Sequence, residues 1–458
     1  MPNTFAYIAL LSWPLITFFL LRRYGVGAGA LISLLCGYMF LPASFSIVIP
    51  GFPNLDKFVI TTLTIIVYIV LRKKTLGLQF LDKRFKFLLF LYVVAPFLTV
   101  FTNQERYLHL PGLSLYDGLS VSLNGLLDFF PFLIGLAYFR EEKEHFKLFK
   151  YFAIATLIYA FLALLEIRIS PQLHSWLYGY FPHAWVQQYR SGGFRAVLFM
   201  GHGLLVAMFL ALGVVFWATL KKAKYKVFRY STTFGLSIVF ITLLLSKSMA
   251  ALVYGLFAVI VVKFLKPTHI YFASAIFAVI FITYPISSAT GLFPHDAIVE
   301  ISSEINQARA GSLDFRFKHE RELLAHANKK PLFGWGGWGR NRVHDAETGE
   351  DTSITDGAWA ISLGTTGWVG FLSTYLFWFL PIWIVFRKYK LMSFDSHQTQ
   401  MLMAGHCLII ALIMIDQLPN ASLNPLYWCL AGSLLGRAQV LLSKKSSDKN
   451  KTVNINVE

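Results

Sequence analysis

The feature that most constrains this chain is a succession of apolar runs, most of them close to 20 residues long, separated by short charged stretches. A bilayer interior offers no water to backbone N–H and C=O groups, so a crossing segment must satisfy them internally, as a helix does. A hydrocarbon core about 30 Å thick takes roughly 20 helical residues. The runs fall at 5–21, 26–49, 58–71, 86–101, 119–139, 151–167, 196–219, 231–246, 248–265, 269–288, 357–386, 400–416 and 425–442, which makes thirteen expected helices. The third is short enough to be tilted or part-embedded, and the eleventh is long enough to leave the bilayer. Strands of a membrane barrel would show as roughly ten-residue segments of alternating polarity, not as solid apolar blocks. Charged residues make up 14% of the chain, against about 25% in soluble domains, which excludes a soluble enzyme. The expected fold is all-α: a polytopic integral membrane bundle.

Basic residues set the expected orientation. Arg22 and Arg23 follow the first run, Arg72, Lys73 and Lys74 the third, and Lys143, Lys147 and Lys150 the fifth. Lys221, Lys222 and Lys224 follow the seventh run, and Arg387, Lys388 and Lys390 the eleventh. Cytoplasmic loops collect Lys and Arg, so these loops are expected inside, with the amino terminus outside and the carboxyl terminus inside. The same rule accounts for the net charge of +17 without a nucleic-acid partner. The expected organisation is about ten helices over 1–289, an outer loop with an amphipathic helix over 290–356, further helices over 357–442 and a disordered cytoplasmic tail over 443–458. The first run lacks a basic leader and a small-residue cleavage site, so a cleaved signal is not expected. Cys36, Cys407 and Cys429 sit inside apolar runs at no metal-ligand or disulfide spacing and read as free thiols. No internal repeat of the kind common in transporters is evident.

Two outer segments concentrate unusual residues: 169–195 and about 290–356. Loops longer than about 15 residues are uncommon unless functional or disordered, and neither of these is of low complexity. Arg190 and Arg195 stand in a short outer loop, where the orientation rule disfavours them; Arg316, Arg321, Arg340 and Arg342 lie in the long one. Guanidinium groups stay charged and donate in a planar fork that matches phosphate oxygens. The plainer alternative for the loop arginines is ion pairing with Glu300, Glu304, Asp314, Glu320 and Glu322. The run from Gly334 to Arg342 mixes glycines with Trp335 and Trp338. It suits close approach to a glycan with indole stacking, or equally a tight loop with interfacial anchors. His344 has the pKa range for proton transfer near neutrality. Asp356, where the loop meets the eleventh run, suits a helix cap or a general base. Ionisable residues within spans are functional candidates: Asp128, Glu166, Arg168, His202, Lys247, His406 and Asp416. Among these Lys247, at a tight hairpin, and His202, one turn into the seventh helix, are the strongest.

Four stretches resemble the O-antigen ligase and O-antigen polymerase superfamily of bacterial envelope glycosyltransferases. Arg195 to Gly203 is similar to the family's arginine followed seven residues later by Asn or His at a helix start. Leu245 to Ala250 resembles its small-polar turn ending in Ser-Arg-Gly, with Met249 where arginine is usual and Lys247 beside it. Arg316 with Pro331-Leu332-Phe333-Gly334 resembles the family's arginine, amphipathic helix and Pro-Leu-Phe-Gly. Asp356 with Gly367-Trp368-Val369-Gly370 resembles its re-entry signature, with Asp356-Gly357 in place of His-Asn.

The resemblance implies a C-type membrane glycosyltransferase in the bacterial inner membrane, active on the periplasmic side, with an undecaprenyl-diphosphate-linked glycan as donor. It implies no cofactor and no metal, with arginines in place of a cation. Arg195 and Arg316, with Lys247, would neutralise the departing diphosphate. Arg190, His202, Arg321, Trp338 and Arg340 are further candidates for holding diphosphate or glycan. Asp356 or His344 would orient or deprotonate the acceptor hydroxyl. A polymerase of O-antigen or exopolysaccharide repeat units is the favoured activity, and a ligase moving finished glycan to a glycan or lipid acceptor is the alternative. Chain-length regulators or export proteins are expected partners. A lipid-linked oligosaccharide flippase, or a partner of an export complex without chemistry of its own, is the competing class.

Overall fold

The computed structural model describes residues 1–190, 192–227, 231–305 and 307–455. The first helices are α1 (Thr4–Tyr24), α2 (Val26–Phe40), α3 (Lys57–Leu71), α4 (Lys83–Phe101), α5 (Leu115–Tyr138) and α6 (Glu142–Ile169). A short α7 (Leu173–Tyr178) and a small hairpin of β1 (Tyr189–Arg190) and β2 (Gly193–Phe194) follow. Then come α8 (Gly203–Lys222), α9 (Thr232–Leu245), α10 (Met249–Phe264), α11 (Pro267–Ala289), α12 (His295–Ile305) and α13 (Gln307–Ala327). The chain closes with α14 (Ala358–Lys388), α15 (His397–Asp416) and α16 (Pro425–Ile455). Among the described residues, eight helices are long and apolar enough to cross a membrane: α1, α4, α5, α6, α8, α11, α14 and α15. Shorter apolar helices α2, α3, α9 and α10 complete the bundle with α16. The protein is a multi-pass helical membrane protein.

The bundle has two ends of different character. At one end Asn3 donates its backbone N–H to Tyr178, Lys57 donates to Phe199, and Asn103 donates to Gly334. At the other, Gln439 bonds Phe80, Arg437 bonds Arg140, and Lys444 pairs with Asp395. The first is called the loop end, because segments 41–56, 170–202, 290–357 and 417–424 gather there; the second is the basic end. At the centre, α8 and α15 are buried almost throughout. Helices α5 and α16 approach most closely: a Cβ on Gly135 would strike the Cys429 carbonyl, and one on Gly432 the Phe132 carbonyl. Small residues allow such contact where no water-driven force separates helix from lipid.

Every expected span falls on a helix, but several ends differ. Helix α2 stops at Phe40, and residues 41–56 form an irregular segment closed by an Ile47–Leu55 bridge. Helix α8 begins at Gly203, after a buried non-helical segment that the expected span includes. The outer loop forms two helices, and α13 packs on α14 and α11. The tail expected to be disordered continues α16 as far as Ile455. Helix α14 is broken at Gly367, whose φ of 62° and ψ of −165° are not helical. Segment 331–336 fills the break. Trp335 and Gly336 donate backbone N–H to the Gly364 and Thr365 carbonyls at 2.8 and 2.9 Å, and Trp368 and Val369 donate to Pro331 and Leu332 at 2.8 and 3.2 Å. A Cβ on Gly367 would lie 2.6 Å from the Phe333 nitrogen, and one on Gly334 2.7 Å from the Gly367 nitrogen. Only glycine lets these two strands of backbone interlock, so the Pro-Leu-Phe-Gly and Gly-x-x-Gly stretches are halves of one joint.

Candidate functional site

The first cluster is built on α6. Glu166, fully buried at its outer end, accepts backbone N–H bonds from Leu173 (3.0 Å), Val197 (2.8 Å) and Leu198 (2.8 Å). The Tyr159 hydroxyl accepts from Phe199 at 3.2 Å, and the buried Lys57 ammonium donates to the Phe199 and Tyr38 carbonyls at 2.8 and 3.1 Å. These bonds satisfy the non-helical backbone before α8 and draw it into the core. Arg195 goes in with it and is only 1% exposed.

Arg195 is unusual. Its backbone N–H donates to the Gln188 carbonyl at 2.9 Å, but among the described residues its guanidinium Nε and Nη1 have no acceptor, and the buried Gln188 Oε1 has no donor. No carboxylate pairs with it among the described residues. Its surroundings are basic. Burial first, then Arg190, hold Arg195 down to about 10. His202, the N-cap of α8, accepts from Leu204 through Nδ1 at 3.0 Å and faces His183 with ring centroids 4.6 Å apart. Burial pushes His202 down to about 4, and His183, Arg195 and Arg190 add to the effect. Lys247, at the α9–α10 turn with a φ of 55°, lies against Gly193, where a Cβ would collide with its ammonium. A buried charge normally comes paired, because an unpaired one costs several kcal/mol. Here positive charge gathers around a guanidinium that has no carboxylate partner among the described residues.

The second cluster is the ion pair between Arg316 Nε and Asp356 Oδ2, 3.3 Å apart and each somewhat over one-third exposed. The pair stands at a cavity of about 210 Å³ between α13 and the start of α14, whose walls include Tyr284, Phe293, Phe315, Phe317 and Trp359. Asp356 is not the cap of α14. The cap is Gly357, and Ala358 donates its N–H to the Gln417 and Asn420 carbonyls, both at 3.1 Å. Arg316 thus takes a partner outside the loop carboxylates considered from sequence.

Both clusters lie at the loop end. Helix α14 is tied to the outer end of α15 through Gln417. Arg195 does not line the Arg316–Asp356 cavity, so the structure groups the candidates as two sites and not as one clamp. Arg190, Arg195, His202 and Lys247 come together, and Arg316 and Asp356 come together.

The remaining candidates have other surroundings. Arg340, 2% exposed, donates to the carbonyls of Trp335 (3.1 Å), Glu105 (3.2 Å) and Pro111 (2.8 Å) and to Asn103 Oδ1 (3.4 Å), which makes it a brace between loops. Both ring nitrogens of His344 face loop carbonyls, Gly349 at 3.2 Å and Gly339 at 2.9 Å, and it does not line the cavity. Trp338 is 74% exposed and donates to Asp117 at 2.9 Å. Arg321 is exposed on α13, next to Glu320. Asp416 accepts from Asn420 and Ser422 and shapes the turn after α15. His406 is bonded to His145 at 2.8 Å near the basic end. Gln188, His183 and Trp359 belong to the two sites and carry no sequence signal beyond their position in or beside the outer segments. No cluster of three metal-ligating side chains occurs among the described residues.

The chain matches no protein-family model and no curated protein. The fold defines its class: a helical, multi-pass membrane protein with two polar sites at one end.

Proposed function

We propose that this chain is a membrane glycosyltransferase that takes glycan from a polyprenyl diphosphate such as undecaprenyl diphosphate, most simply as a polymerase of lipid-linked repeat units, on the periplasmic side of the bacterial inner membrane. The motifs around Arg195, Lys247, Arg316 and Asp356 ally it with the O-antigen ligase and polymerase superfamily. The observation that carries the reading is Arg195: a buried guanidinium with unused donors, beside Arg190 and His202 and with no carboxylate partner among the described residues. A diphosphate supplies an anionic partner.

In the reaction an acceptor hydroxyl attacks the anomeric carbon of the donor sugar. The new C–O bond forms as the bond to the diphosphate breaks, and the electron pair leaves on the diphosphate oxygen. Arg195, with Arg190 and Lys247, stabilises that charge; preorganised positive groups of this kind usually supply the largest catalytic term. The hydroxyl proton passes to Asp356, which Arg316 holds in place. Arg316 here serves the base and not the diphosphate.

The test uses the purified full chain in detergent, with lipid-linked repeat units as substrate. Polymer formed without a sealed membrane, and lost in Arg195→Ala at equal protein level, supports the transferase. Failure to form polymer, together with movement of the same lipid across sealed proteoliposomes, would identify a flippase instead. On deletion in cells, carrier lipid bearing single repeats marks a polymerase and carrier bearing long chains marks a ligase.

A further inference from the structure

We infer that the cavity behind the Arg316–Asp356 pair is a subsite for one sugar ring of the acceptor glycan; the assignment rests on the transferase reading and adds a ligand to its second site. Its size comes first. About 210 Å³ lies below the roughly 300 Å³ at which drug-sized pockets begin, so the space takes a single ring and not a chain.

Its wall comes next. Phe293, Phe315, Phe317, Tyr284 and Trp359 present aromatic surface from four elements of the fold. The C–H faces of a pyranose are apolar and lie on such rings, while its hydroxyls stand around the edge. The mouth provides what those edge hydroxyls need. Arg316 donates in a plane and Asp356 accepts, and at somewhat over one-third exposure each keeps hydrogen-bonding capacity beyond their mutual contact. Trp359 is fully buried in the wall and its Nε1–H has no acceptor among the described residues. An indole N–H normally finds a partner when buried.

Of the other polar groups in the wall, His319 has an Nδ1 with no hydrogen-bond partner among the described residues, 3.5 Å from Glu322, while Glu320 is engaged. Glu320 accepts from the Tyr284 hydroxyl at 2.7 Å and from Ser288 at 2.9 Å. Glu320 is therefore a positioning residue that fixes the Tyr284 ring in the wall. A lipid chain would bring nothing to answer the charged mouth. A free phosphate would leave the aromatic wall unused and would face the Asp356 carboxylate. A ring that is apolar on its faces and hydroxylated on its edge answers both, and a hydroxyl seated beside Asp356 is the one that reaction requires.

The experiment is saturation-transfer NMR on the full chain in lipid nanodiscs, free of glycoside detergents, with a panel of methyl hexosides as probes. Binding of polyprenyl diphosphate is titrated in parallel. At least one hexoside is expected to bind, with saturation of its ring C–H protons. Phe315→Ala changes a residue already 48% exposed, so folding is preserved, and should weaken that hexoside about tenfold. Trp359→Phe keeps an aromatic ring but removes the indole N–H together with its fused five-membered ring, and should weaken it about threefold. No binding across the panel, or binding unchanged in both variants, overturns the assignment. If the hexosides fail while polyprenyl diphosphate binds, the subsite alone is wrong. If hexosides bind and the diphosphate lipid does not, the diphosphate reading is wrong and the sugar cavity stands.

Discussion

Arg195→Met separates a ligand-binding cation from a structural one by the sign of a stability change. Arg195 is 1% exposed, and its Nε and Nη1 have no partner among the described residues. Each buried unsatisfied donor costs about 1–3 kcal/mol, so the two together cost about 2–6 kcal/mol. Methionine fills similar space without polar atoms, and comparable replacements of buried charged groups are neutral or stabilising by about 1–4 kcal/mol. The apparent melting temperature without ligand should therefore hold or rise, by a few degrees at about 2–4 °C per kcal/mol. With polyprenyl diphosphate at 100 times its dissociation constant, the wild type should gain about 2.7 kcal/mol by mass action, and the variant should gain nothing. The assay is a thermal scan in nanodiscs at one fixed rate, because unfolding of membrane proteins is commonly irreversible. A fall of the size seen when a satisfied buried ion pair is broken, about 3–5 kcal/mol, would refute the argument, since Arg195 would then be held by partners of its own.

Further outcomes follow from the same geometry. Arg316→Lys should reduce polymer formation at least severalfold, because an ammonium cannot hold the Asp356 carboxylate in the plane of a guanidinium; full activity of the purified variant would count against the pairing. Asp356→Asn should abolish turnover and leave thermal stability within about 1 kcal/mol, since the exposed ion pair contributes about 0–1 kcal/mol and Gly357 is the helix cap. Arg340→Ala should lower stability by roughly 4 kcal/mol, from four hydrogen bonds at about 1 kcal/mol each, read as lost folded yield and melting temperature. His202 is pushed down to about 4 in the fold from an ordinary value of about 6.5, so the unfolded chain binds more protons between these values. The stability tied to neutral His202 is then complete above about pH 6.5 and lost as pH falls toward 4. His202→Asn, which still caps α8, should show a smaller acid loss of melting temperature over that window.

The helices were legible because lipid imposes one solution on a long apolar run, and each expected span lies on a helix. The ends were not. Residues Ala196 to Met200 are as apolar as the helix that follows them, yet Glu166 and Tyr159, at least 31 residues earlier in sequence, satisfy their backbone and keep them out of the helix. Arg195 was legible as an out-of-place charge, but its burial without a partner depends on that distant carboxylate. The ion pair of Arg316 with Asp356 spans 40 residues of loop, and only the packing of α13 on α14 brings the two together. Arg340 and His344 share the chemistry of functional groups. Neighbouring carbonyls engage them, and no spacing in the sequence announces a carbonyl.

The joint at Gly334 and Gly367 has a mechanical consequence. The outer half of α14 is not a free continuation of its inner half but is laced on one side to segment 331–336 and on the other to the turn after α15. Such a half-helix moves as a rigid lever or not at all. A load arriving at the Gly–Trp turn is delivered directly to the residues just before Ala358, where Asp356 stands, so the long extramembrane segment and the proposed base are geared together.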